Sequence, residues 1–181
     1  MDKKKIVLSI SLIVFMIVVI IIYNLVIRKN DKGNTNTIDQ NIINEPSNKS
    51  VIDRINGTTT CRNVNNYYNT LVFTSKNDKV VKCKATAVKQ LSTYGFDTIE
   101  QLTQADKNSI ESEILKELNI DSFEYKGINI SVEYNMGVAL TVDIDYSNYD
   151  MSVIEKLGLK FNGKYSNIIK NLLSTKEWKC E

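Results

Sequence analysis

The side chains able to do chemistry are few and unevenly spaced. There is no histidine, which removes the usual general base, the commonest zinc and haem ligand, and every Ser-His or Cys-His nucleophile pair. The three cysteines, Cys61, Cys83 and Cys180, have neither CxxC nor any other close ligand spacing, so a zinc ribbon or thioredoxin-like motif has no support. Asp143, Asp145 and Asp150 are close in sequence, and a DxD pair on one strand face could ligate a hard cation through oxygen. The same aspartates also suit a solvated strand face opposite Val142, Ile144 and Tyr146. Glu111, Glu113 and Glu117 read as the wet side of a helix, because i,i+2 residues do not face each other. Lys82 and Lys84 suit an anionic lipid or wall polymer, or simply edge solvation. Tyr67, Tyr68, Tyr125, Tyr134, Tyr146, Tyr149 and Tyr165 offer an aromatic patch for sugar or peptide, although Tyr134 and Tyr146 fall on an apolar strand face.

Hydrophobic periodicity defines the elements that must position these groups. From Tyr68 to Ser75, Leu71 and Phe73 alternate with Thr70, Val72 and Thr74; after a turn at Lys76 to Lys79, a second strand runs from Val80 to Val88 with Val81, Cys83, Ala85 and Ala87 inward. A helix follows, capped by Asp97 with Glu100, carrying Ile99, Leu102, Ile110, Ile114 and Leu118 and ending near Asn119. A second hairpin sets Ile128, Ile130, Val132 and Tyr134 against Val138, Leu140, Val142, Ile144 and Tyr146. Asp150 caps a short helix that Gly158 ends, and a last helix spans 166–175. The expected order is ββαββαα, an α+β domain with a small antiparallel sheet of two hairpins and helices on one face.

Ahead of this domain, Ile6 to Ile27 form 22 residues without a charge, and a helix of that length spans ~33 Å, enough to cross a bilayer. The run lacks the short core and small-residue cut site of a cleaved leader, and no cysteine lies near its end for lipidation. It is expected to be an uncleaved signal anchor over residues 1–29. Lysines at 3, 4 and 5 nearly balance Arg28, Lys29 and Lys32, and the short leader favours an inside N-terminus, with the C-terminal domain on the extracytoplasmic side of the cell membrane. Residues 30–57, polar and with the one proline at Pro46, are expected to be a disordered linker, and residues 58–181 the domain. Residues 1–57 hold 8 Lys/Arg against 5 Asp/Glu and the rest 15 against 16. A near-neutral domain has no basic face for nucleic acid.

The segments TTTCR at 58–62, YNTLVFTSKNDKVVK, GINISVEYNMGVALTVDIDY, DMSVIEKLGLK and EWKCE give the chain a family likeness over residues 58–181. It resembles the YehR-like small bacterial surface lipoproteins, a family of unknown function. The resemblance implies a small extracytoplasmic α+β domain and no activity or cofactor. Members are typically held by a lipidated N-terminal cysteine, and this chain departs by carrying a membrane helix.

Taken together, the expectation is a membrane-anchored, non-enzymatic module that binds an envelope component or partner protein. The alternative is a metal-dependent envelope enzyme using Asp143 and Asp145. A Cys61–Cys180 disulfide is expected, because both lie at the domain's margins and the ends of compact domains often meet. The competing outcomes are a Cys61–Cys83 bridge, or no bridge if the domain is cytoplasmic. Cys83, on an apolar strand face, reads as an inert buried thiol rather than a redox centre.

Overall fold

A computed structural model of the chain describes residues 46–181. The anchor expected over Ile6 to Ile27 and most of the expected linker lie outside the described residues. Within them, no helix is long and apolar enough to cross a membrane.

The folded part begins earlier than the sequence suggests. A short helix, α1 (Pro46–Ile52), starts on proline, whose missing N–H is unneeded in a first turn, and buries Val51 and Ile52 at its end. The linker expected over 30–57 therefore stops short of 57. Its polar composition hid the apolar pair Val51 and Ile52, and seven residues are too few to display a helical period.

Next come β1 (Gly57–Arg62), β2 (Thr70–Lys76) and β3 (Lys79–Lys89). The sequence reading missed β1, because its threonines look polar. Yet Thr59 and Cys61 point inward and are almost fully buried, and β-branched threonine suits a pleated surface. Asn77 and Asp78, both with φ above +50°, close the β2–β3 turn in the double left-handed conformation that suits strand twist. The register steps from Thr74 opposite Lys82 to Ser75 opposite Val80, which leaves Val81 as a bulge. Val80, not Val81, thus joins Cys83, Ala85 and Ala87 in the core. The bulged residue's carbonyl accepts from the Tyr146 N–H at 2.9 Å.

After β3, 3-10 turns occupy Leu91–Tyr94 and Ile99–Gln101, and α2 runs over Gln104–Glu117. The single helix expected from Asp97 is thus broken. Gln101 Oε1 accepts from the N–H groups of Asp97 and Thr98. The reciprocal cap that starts α2 is Thr103 with Asp106: the Asp106 N–H donates to Thr103 Oγ1 at 3.2 Å, and the Thr103 N–H to Asp106 Oδ2 at 2.9 Å. Ile110 and Ile114 remain its buried face.

A two-residue β4 (Glu124–Tyr125) precedes the hairpin β5 (Ile128–Tyr134) and β6 (Val138–Asp145), whose register matches its alternation: Ile128 faces Ile144, Ile130 faces Val142, Val132 faces Leu140. Then α3 (Met151–Leu157), α4 (Tyr165–Ser174) and β7 (Lys179–Cys180) complete the chain. As expected, Asp150 caps α3 and Gly158 ends it at φ +68°.

The two hairpins join through β3 and β6 and are extended at both sides, so the sheet has seven strands rather than four, in the order β4-β5-β6-β3-β2-β1-β7, all antiparallel. One sheet face merges with buried residues of all four helices into one hydrophobic core. The other face carries Thr74, Lys82, Lys84, Asn129, Asp143 and Asp145, all partly or fully exposed.

Candidate functional site

The exposed sheet face holds a shallow concavity of about 820 Å3, lined by Thr74, Lys82, Lys84, Tyr125, Asn129, Asp143 and Asp145 among others. The period of two puts both aspartates on this face, and the β3–β6 register puts Lys84 opposite Asp143 and Lys82 opposite Asp145. Lys84 Nζ lies 3.6 Å from Asp143 Oδ1, and Lys82 Nζ 4.0 Å from Asp145 Oδ2. These pairs are exposed and individually weak, but they cancel the local charge, so a divalent cation would have to displace two ammonium groups. Asp145 is further engaged by its own turn: Oδ1 accepts from the Ser147 N–H at 2.9 Å and its hydroxyl at 2.6 Å. Those bonds first, and Lys82 less, hold its carboxyl below the usual range.

Asp150 does not join them. Its Oδ1 accepts from the Ser152 N–H and hydroxyl and the Val153 N–H at the start of α3. The glutamates on α2 diverge likewise: Glu111 receives the Tyr134 hydroxyl at 3.4 Å, while Glu117 pairs with Lys89 at 2.5 Å. Among the described residues no group of three or more carboxylates or cysteines is arranged to hold a metal ion.

Cys61 and Cys180 form a disulfide. They face each other across β1 and β7 with Cα atoms 4.0 Å apart, closing 119 residues of sequence. Cys83 is left as a thiol, 2% exposed, and burial first, with Asp143 second, pushes its pKa far up. A thiol kept protonated at neutral pH is a poor nucleophile.

The tyrosines divide into two groups. Tyr146 donates to the Leu159 carbonyl at 2.5 Å and accepts from the Phe161 N–H; Tyr165, wholly buried, bonds the Thr59 hydroxyl at 2.6 Å and donates to the Val51 carbonyl at 2.8 Å. Tyr125, Tyr134 and Tyr149 also have hydroxyl partners. Tyr68 and Tyr94 are the exceptions, since their buried hydroxyls have no hydrogen-bond partner. Tyr68 stands edge-on to Tyr67, ring centroids 4.9 Å apart, where the β1–β2 loop meets the ends of α2 and α3. Sequence reasoning included Tyr67 and Tyr68 among seven tyrosines with nothing to single them out. Tyr94 it passed over, in a stretch it assigned to no element.

No family model matches the chain, and no curated protein matches it. A solved structure does: the NMR structure of the E. coli YehR protein superposes at a TM-score of 0.48 with 16% identity, over 69% of this chain and 90% of that chain.

Proposed function

We propose that this chain is a single-pass membrane protein, related to the YehR-like surface lipoproteins, that displays residues 46–181 outside the cell membrane as a non-enzymatic binding module. The anchor is the apolar run Ile6 to Ile27, in place of a lipidated cysteine. The observation that carries this reading is the Cys61–Cys180 disulfide, since such bridges persist in oxidising compartments and are rare in a reducing cytosol. A further support is that Asp145, Asp150, Glu111 and Glu117 are all engaged by turns, caps, pairs or tyrosine. Protease added to intact cells or protoplasts is expected to remove the domain and leave a short anchor. Full protection under conditions that digest an external marker would reverse the orientation.

One observation favours a metal-dependent enzyme instead: Asp143 and Asp145 share an open concavity. Isothermal titration with calcium, magnesium and manganese separates the two readings. Binding heat abolished by Asp143→Asn would establish the enzyme reading's metal site, and no heat would dispose of it.

A further inference from the structure

The two ends of the sheet differ in what they expose. β3 ends at Lys89 opposite Val138, the first residue of β6, and β2 begins at Thr70 opposite Thr86, so the β1–β2 loop and the β5–β6 turn crown the same rim. Among the described residues six large apolar side chains are exposed, and four stand at this rim: Val64, at 89%, and Tyr67 in the loop, Met136, at 102%, in the turn, and Val88 beside the turn. The other two belong to the opposite rim, where the Ile55 carbonyl accepts from the Asp78 N–H and Met151 follows Asp150, whose N–H donates to the Lys126 carbonyl. Scattered singly, such side chains need no explanation; gathered at one end, they do.

Both tips are held. Asn63 accepts the Asn65 N–H on its side chain at 2.9 Å and the Asn66 N–H on its carbonyl at 3.3 Å. The Asn135 N–H donates to the Gly137 carbonyl at 3.1 Å, and the turn presses so closely on β3 that a Cβ at Gly137 would stand 2.6 Å from the Lys89 carbonyl. Val64 and Met136 are therefore presented on fixed supports some three strand spacings apart, ~14 Å. Charge adds little at this end, since Arg62 pairs with Glu181 and Lys89 with Glu117.

The start of α1 lies at the same end. Ser47 and Asn48 line a hollow with Trp178, Lys179 and Cys180, and β7 pairs with Cys61 and Arg62, the last residues of β1. Residues 28–45 separate Pro46 from the apolar run that ends at Ile27. A coil of that length reaches roughly 20–25 Å, which holds a tethered surface at an effective concentration of roughly millimolar.

We infer that the rim bearing Val64 and Met136 docks on the lipid bilayer that anchors the chain, the two side chains entering the boundary between head groups and acyl chains. The inference rests on the single-pass reading and goes beyond it by assigning the surface that meets the lipid. Moving one such side chain out of water favours the docked state roughly tenfold or more, too little to capture a free domain but enough for a tethered one. A rigid protein partner needs a continuous face of roughly 800 Å2, whereas lipid closes around separated tips.

The test uses the full chain in phosphatidylcholine nanodiscs, one chain per disc, with a small fraction of spin-labelled lipid. Amide relaxation enhancement is expected at Val64 and Met136 and not at Asn77 or Asn148, and it should survive high salt. Val64→Ser and Met136→Ser alter exposed side chains, so Tm should hold, while each lowers the docked-to-free ratio about three- to tenfold at both tips together. Met151→Ser, on the opposite rim, should leave that ratio unchanged. No enhancement, enhancement centred on the opposite rim, release by salt, or the parent's ratio in both rim variants would overturn the inference. Enhancement that appears only with two chains per disc would assign the rim to a second copy instead, and so overturn it too. Elution of the chain apart from the discs would sink the anchor reading and this inference with it; stable incorporation without rim enhancement would sink this one alone.

Discussion

At the scale of single residues, the same side chain does opposite things according to whether its polar end is met. Tyr165 is wholly buried, and its hydroxyl ties the core of β1 to the end of α1 through Thr59 and Val51. Tyr165→Phe leaves a buried hydroxyl and a buried carbonyl each short of a partner, and is expected to lower unfolding stability by about 1–3 kcal/mol. Urea denaturation measures it, and a midpoint equal to the parent's would refute the account. Tyr68→Phe removes a group that bonds nothing, so the two variants form a matched pair. The spacing of tyrosines in the sequence offered no means of telling them apart, because partners such as the Val51 carbonyl are 114 residues away.

At the scale of elements, the margins decide more than their length suggests. The bridge between β1 and the two-residue β7 closes a loop of 119 residues, worth up to about 4–5 kcal/mol in the chain-entropy model. Cys180→Ser is therefore expected to lower the urea midpoint strongly, with the same loss in parent protein treated with reductant; a loss seen in only one of the two would point to a local defect. Helix α1 is the opposite margin. Burying Val51 and Ile52 is worth about 3–6 kcal/mol together, so a chain beginning at Gly57 is expected to be markedly less stable than one beginning at Pro46. Equal midpoints would restore the linker to the boundary at 57. Both margins carry too few residues for a periodic pattern, and the threonines of β1 conceal a buried face.

At the scale of the whole molecule, the tyrosines couple folding to alkaline pH. Burial, with Glu111 adding to it, pushes Tyr134 up to about 12 from 10.0, and Tyr67, Tyr68, Tyr94, Tyr146 and Tyr165 are raised as well. A raised value means that the unfolded chain releases protons before the folded one. The associated stability is fully present below pH 10.0 and is lost as pH rises through the folded values. The urea midpoint should thus fall steeply above that pH, less steeply in Tyr134→Phe, and a flat profile would contradict the assigned burial. By itself the sequence determined whatever is local and periodic: the two long hairpins, the Asp150 and Gly158 ends of α3 and the α+β class; the Cys61–Cys180 bridge it favoured from position, and the structure decided it against the Cys61–Cys83 pairing. Alternation of side chains follows from backbone geometry over a few residues and needs no partner to be legible. Only the tertiary structure decided that the hairpins join through β3 and β6, that the Val81 bulge moves Val80 into the core, and that Lys82 and Lys84 face the aspartates. It alone left the Tyr68 hydroxyl without a partner. These outcomes depend on which distant segments come to lie side by side, which is settled by packing the whole core at once.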